Sequence, residues 1–211
     1  PKDTGSGPST AVVAANQAVE QGVNLIIGPV FSSSVSSIAP IAAKANIPIL
    51  SLSNNKTVAG PNVYVYGFLP EQQVARAADF AAMQNVAAMG GLVPNDAYGN
   101  TVSATLKNIL NPKGVRVDPV EVYARSPANL DAAVIRLKEG YDKTPFTALF
   151  LAEGGDQLKL ILKTLKNRQL DKNNFRLIGT GLWDEDEIKR NPEMIGSWFA
   201  SSPPALYEQF E

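Results

Sequence analysis

The stretches VNLIIG (residues 23–28), IPILSL (47–52), VAAMGGLVP (86–94) and FTALFLA (146–152) are too apolar to leave either side of a strand in water. All but the second, which a loop rich in Asn and Gly separates from another strand, lead into a run with helical spacing of apolar residues, so strand and helix alternate along most of the chain. A strand buried on both faces, returning to its neighbour through a helix, belongs to a parallel sheet with helices on both sides. NVYVYGF (62–68), VRVDPVEVY (115–123) and FRLIGT (175–180) read as further strands. The helical stripes run through residues 10–21, where Gly22 ends the first helix, and 33–45, with Pro40 as a kink. Others start at Glu71, span Thr101–Leu110, and carry Leu130, Val134 and Leu137, then Leu158, Ile161, Leu162 and Leu165. The sequence therefore predicts an α/β fold. Breaks between parts are expected where proline meets a strand end, in YGFLPEQ (66–72) and FASSPPALYEQF (199–210).

Several kinds of chemistry are excluded by composition. The 211 residues include no cysteine and no histidine, which removes Ser–His and Cys–His catalysis, zinc sites of the usual ligands and haem ligation by either residue. Nineteen basic residues against twenty acidic ones, in no basic block, give nothing with which to grip nucleic acid. The apolar runs are short, so no membrane span is expected. The chain has no phosphate-loop, dinucleotide-fingerprint or nucleophile-elbow motif, and its acidic residues lack the spacing of a known metal loop. An enzyme is not expected, and no cofactor is implied.

In an open parallel sheet, ligands bind beyond the carboxyl ends of the strands. The segments Gly28–Ser34, Ser51–Lys56, Pro94–Asn100, Ala152–Gln157 and Thr180–Asp186 should therefore hold the functional residues. The first leads into five serines within residues 32–37. Ser32 and Ser33 at a helix N-terminus can either cap it and face solvent or add donors for an anion, while Ser36 and Ser37 read as solvated hydroxyls. Ser53 and Asn55 form a turn or a ligand contact. Tyr98 can wall a crevice or pack beneath its loop. Glu153 is a natural partner for an ammonium group, whereas Asp156 and the acids at 184–187 also suit helix starts. Trp183 either covers a ligand or belongs to the core.

Residues 3–54, DTGSGPSTAVVAANQAVEQGVNLIIGPVFSSSVSSIAPIAAKANIPILSLSN, followed by YVYGFLPEQQVARAADFA and PNDAYGNT, resemble the type I periplasmic binding proteins of the Leu/Ile/Val-binding kind. IIGPVFSSSV and GFLPEQQV are also similar to the penicillin-binding-protein activators that share this fold. The resemblance extends from Asp3 to about Phe210 and rests on the order and spacing of the segments. It implies two α/β lobes joined by a hinge and closing on a small ligand. Residues 1–67 would form part of the first lobe, 68–201 the second lobe, and 202–211 the return to the first. The family's first strand and helix have no counterpart before Pro1, and its last part has none after Glu211. The resemblance thus implies a fragment whose first lobe exposes apolar surface unless a partner covers it.

Residue by residue, the resemblance places Ser32 and Ser33 on a ligand carboxylate, Ser53 and Asn55 on its amino and carboxylate groups, and Tyr98 on the ligand from the second lobe. Amino-acid binders of the family carry an acid just after the strand matching FRLIG, where this chain has Gly181. Glu153 or Asp184 would then take that acid's place, or the ligand is not an amino acid. The implied function is a periplasmic solute-binding protein that delivers an amino acid or similar small molecule to an ABC transporter permease, with a lipid anchor as one form of the full-length protein. The alternative is a regulator of peptidoglycan synthesis whose partner is a peptidoglycan synthase.

Overall fold

Both faces of one sheet are filled by apolar side chains, and only one face of the other. The computed structural model describes residues 2–5 and 7–202 and divides the chain into two compact units, Pro1–Leu69 and Pro70–Glu211. The return of residues 202–211 to the first lobe lies, from residue 203 on, outside the described residues.

In the first unit, α1 (Pro8–Glu20) and α2 (Ser32–Lys44) accompany a parallel three-stranded sheet of β1 (Ile26–Ile27), β2 (Ile49–Ser51) and β3 (Val63–Val65), in that order. Gly22 and Asn46, both at positive φ, end the two helices in the left-handed conformation that frees the chain to turn into the next strand. Register pairs Ile26 with Ile49 and Ile49 with Val63, and these join Ala11, Ala15, Val35, Ile38 and Ala42 in one core. The alternate residues face the other way. Ile27 pairs with Leu50 and Leu50 with Tyr64, and both Ile27 and Tyr64 are exposed, as are Leu25, Leu52 and Tyr66 nearby.

The second unit is a five-stranded parallel sheet in the order β5-β4-β6-β7-β8. Its strands are β4 (Ala88–Pro94), β5 (Arg116–Tyr123), β6 (Ala148–Leu151), β7 (Arg176–Gly179) and β8 (Trp198–Phe199). The helices are α3 (Pro70–Met83), α4 (Ala97–Leu110), α5 (Pro127–Lys143), α6 (Gly155–Asn167) and the short α7 (Asp186–Lys189). Side chains alternate between two cores. Met89, Val93, Ala148, Phe150 and Ile178 meet Val74, Ala78, Val102 and Leu106 of α3 and α4. Leu92, Leu149, Leu151 and Leu177 meet Leu130, Val134, Leu137, Leu158 and Ile161 of α5 and α6. Every residue of β4 and β6 is buried, as a central strand covered on both faces requires.

From β4 the chain moves one way to β5, then crosses back to β6 on the other side of β4. This is the doubly wound order with a topological switch point between β4 and β6, where the following helices leave to opposite faces. Gly99 lets α4 start against the strand end, since a Cβ there would lie 1.9 Å from the Pro94 carbonyl oxygen. Strand β8 and the helical start at Ala97, four residues ahead of the expected Thr101, are additions to the sequence reading.

Candidate functional site

The second unit gathers its polar residues at the switch point. Asp96, just past β4, caps α4 by accepting the Gly99 N–H at 2.8 Å. Its other oxygen accepts from Arg125 Nη1 at 2.7 Å. Arg125, just past β5, also donates through Nε to Glu153 Oε1 at 2.8 Å, beyond β6. One guanidinium thus reaches across from β5 and joins the ends of β4 and β6. The same Glu153 oxygen accepts the Tyr123 hydroxyl at 2.9 Å, and Trp183 Nε1 donates to the Glu153 carbonyl at 2.8 Å. Glu153 is 7% exposed, while the Arg125 side chain is 49% exposed. Both bonds fall on Oε1 of this buried carboxylate, and its Oε2 accepts no hydrogen bond among the described residues.

Tyr98, in the first turn of α4, is partly buried against the α3–α4 core, and its hydroxyl lies 3.2 Å from Thr180 Oγ1 past β7. Tyr98 thus packs against the core and carries its hydroxyl to the end of β7. Burial pushes its phenol above the ordinary value, with the Glu153 and Asp96 charges adding to the effect. Burial and Glu153 push the Tyr123 phenol up further. Both remain neutral hydrogen-bonding groups at physiological pH. Gly181, where the family resemblance would have an acid, instead donates its N–H to Gln73 Oε1 of α3 at 3.0 Å. A Cβ at Gly181 would meet that Gln73 oxygen at 3.3 Å, so the glutamine occupies the space.

Asp184 is separate from this network. It binds Lys189 Nζ at 2.9 Å and accepts the Ser201 hydroxyl, and these two contacts hold its carboxyl below the usual range. Trp183 is fully buried and belongs to the core. Asp156 is exposed and pairs with Lys159 in the first turn of α6.

In the first unit the serine run divides its labour. Phe31 is the N-cap of α2, with no side-chain cap, so Ser32 and Ser33 open the helix without capping it. Their position leaves first-turn N–H groups without intrahelical acceptors. Ser34 is buried, Ser36 is exposed, and the Ser37 hydroxyl donates back to the Ser33 carbonyl at 2.9 Å. Ser53 is buried, and its Oγ accepts the Asn55 N–H at 3.1 Å. Its carbonyl lies against Gly67, where a Cβ would approach to 2.1 Å. The Asn55 carboxamide oxygen is taken by the N–H and hydroxyl of Thr57, at 3.0 and 2.8 Å. Ser53 and Asn55 thus build their own loop in this structure.

Arg125 and Gln73 are the residues that the sequence reading missed. Arg125 follows a strand directly, so the positional rule that singled out the other post-strand segments would have found it in residues 124–126. Gln73 carries no local signal, because it reaches the strand ends from a helix far away in the chain. Two cavities of about 640 and 470 Å³ lie at the opposite ends of the strands, lined among others by Thr147, Lys172, Phe175, Arg176 and Glu193. The candidate site is at the switch point, where side chains from the ends of β4, β5 and β6 bond to one another at the carboxyl edge of a parallel sheet.

A parallel, doubly wound unit with its charged and phenolic groups collected at the switch point has the architecture of a small-ligand binder. The chain belongs to the periplasmic binding protein family, whose model matches residues 1–208, and its fold is that of the type I members. An uncharacterized protein of Rickettsia prowazekii (strain Madrid E) is 27% identical over 188 residues, 86% of this chain and 50% of the relative. An ABC transporter substrate-binding protein from Sphaerobacter thermophilus superposes with a TM-score of 0.74 at 20% identity, over 92% of this chain and 53% of that one. Two structures from Rhodopseudomonas palustris share the fold. One is a solute-binding protein in complex with 3,4-dihydroxybenzoic acid from strain BisB5, with a TM-score of 0.70 at 21% identity over 99% and 60% of the two chains. The other is an ABC-type branched-chain amino acid transporter from strain CGA009, with a TM-score of 0.70 at 19% identity over 85% and 50%. The chain spans about half the length of the curated relative it matches.

Proposed function

We propose that this chain is part of an extracytoplasmic solute-binding protein that takes up an amino acid or similar small polar solute for an ABC transporter. The observation that carries the reading is the cluster of Tyr98, Arg125, Glu153 and Thr180 at the β4/β6 switch point of a periplasmic-binding-protein fold. The uncapped first turn of α2 supports a contribution from Ser32 and Ser33, since backbone N–H groups at the positive end of a helix suit an anionic group. Ser53 and Asn55 would contribute by shaping their loop. Asp184, tied to Lys189 and Ser201, would position the segment after β7.

Thermal unfolding of the full-length protein against amino acids, short peptides, aromatic acids and peptidoglycan fragments tests this. A ligand at a hundred times its Kd adds about 2.7 kcal/mol to the stability of the folded state. A shift with one class of small solute, diminished in Ser32→Ala, is the expected result. No shift with any solute would turn the reading toward a regulator of peptidoglycan synthesis.

A further inference from the structure

We infer that Gln73 is a positioning residue of the candidate site: it holds the turn after β7 at Gly181 and so leaves the Thr180 hydroxyl to Tyr98. The inference rests on the solute-binding reading in taking Tyr98 as a solute contact.

A threonine that opens a helical turn ordinarily directs its hydroxyl to the turn's own N–H groups. Thr180 is the N-cap of the short turn Gly181–Trp183, yet it makes no side-chain cap. Its hydroxyl lies 3.2 Å from that of Tyr98 instead. The first N–H of the turn, at Gly181, is satisfied from far away in the chain, where Gln73 Oε1 accepts it at 3.0 Å. The glutamine does for the turn what its own cap residue does not.

Both sides of this contact are anchored. Gln73 is half-buried in the first turn of α3, beside Val74, Ala77 and Ala78 of the core. At the other end of the turn, Trp183 is fully buried and donates Nε1 to the Glu153 carbonyl at 2.8 Å. A Cβ at Gly179 would lie 2.3 Å from the Trp183 ring, and one at Gly181 would lie 3.3 Å from both the Ala200 carbonyl oxygen and Gln73 Oε1. The turn is therefore packed onto its own strand end, and the direction of the Thr180 hydroxyl is the choice left open. With the Gln73 acceptor in place, the start of the turn is held and the hydroxyl reaches Tyr98. Without it, the hydroxyl returns to its own turn, as N-cap threonines do, and Tyr98 loses its partner. A phenol with no fixed partner must be ordered by the solute it meets, at a cost in affinity.

Nuclear magnetic resonance of the full-length protein, labelled at the tyrosine ζ-carbons, reads the Tyr98 hydroxyl without any solute, and Tyr98→Phe assigns its signal. Gln73→Met removes the acceptor, with Gln73→Ala as a second form of the same loss, while Gln73→Glu keeps an acceptor in that place. We expect Gln73→Met to move the Tyr98 signal and to speed exchange of the Gly181 amide about tenfold or more. Gln73→Glu should leave both near the wild type. Thr180→Val should also move the Tyr98 signal, and adding Gln73→Met to it should move the signal no further, because the two changes break one chain of contacts. A Tyr98 signal unmoved in folded Gln73→Met or Gln73→Ala, a Gln73→Glu that behaves like Gln73→Met, or shifts that simply add in the double variant overturns the inference. In the solute panel, Gln73→Met should bind whichever solute stabilises the wild type about tenfold more weakly, and an unchanged affinity likewise overturns it. A panel that stabilises nothing in the wild type counts against the solute-binding reading, and the Tyr98 signal still decides the role of Gln73.

Discussion

The two sheets are built from equally apolar strands, yet they meet water differently. In the second unit the alternate side chains of β4 and β6 divide between two helix layers, and none is exposed. In the first unit Ile49 and Val63 join the core with α1 and α2, while Ile27 and Tyr64, on the opposite face, remain 68% and 59% exposed. These side chains form an apolar face that the described residues leave open. Sequence hydrophobicity states that a face needs cover, whereas only the tertiary structure shows whether it has it.

The largest expected effect lies in the doubly covered sheet. Phe150→Ala removes a ring buried against α3 and α4 and should cost about 4 kcal/mol in urea unfolding. A loss below about 1 kcal/mol would mean that this core is as open as the face of the first sheet.

Glu153→Ala should come next, at about 2 kcal/mol. It strands the Tyr123 hydroxyl and removes one of the two acids on Arg125, although that guanidinium, half exposed, can recover water. An unchanged midpoint would show that the strut across the strand ends contributes nothing to the second unit.

A smaller effect is expected at alkaline pH. Tyr123 and Tyr98 have folded-state pKa values raised above the ordinary value of about 10, so the folded chain keeps protons that the unfolded chain releases. Their contribution is fully present below pH of about 10 and declines as the pH rises toward the raised values. Unfolding measured from pH 8 to 11 should show this decline, and Tyr123→Phe should make it shallower. An identical slope in the variant would assign the decline to other groups.

The smallest stability change belongs to the open face. Ile27→Ser should alter unfolding free energy by less than about 0.5 kcal/mol while lowering self-association in light scattering. A loss like that of Phe150→Ala would mean that Ile27 is buried in solution and that the contrast between the sheets is false.

Much of this was legible in the chain itself. The strands at 86–94, 146–152 and 175–180 could be read because burial on both faces demands continuous apolar runs, and the helices because their stripes recur at helical spacing. The short strand β8 was not, since Trp198 and Phe199 alone give too brief a pattern to distinguish from a loop. Tyr98 and Glu153 could be named from their places after strands. That Ser32 follows the cap of α2 was not legible, because a serine and a phenylalanine can each take the extended backbone of that position.

By itself, then, the sequence determined the parallel α/β architecture, the absence of histidine and cysteine chemistry, and the end of the strands at which polar residues would gather. These follow from local periodicity, composition and the direction of a parallel sheet. The tertiary structure alone decided that Arg125 spans the ends of β4 and β6, that Gln73 fills the space beside Gly181, and that one apolar face of the first sheet is left open by the described residues. Each depends on which distant segments become neighbours, and a strand order of β5-β4-β6-β7-β8 is a property of how the chain crosses over, not of any one stretch of it.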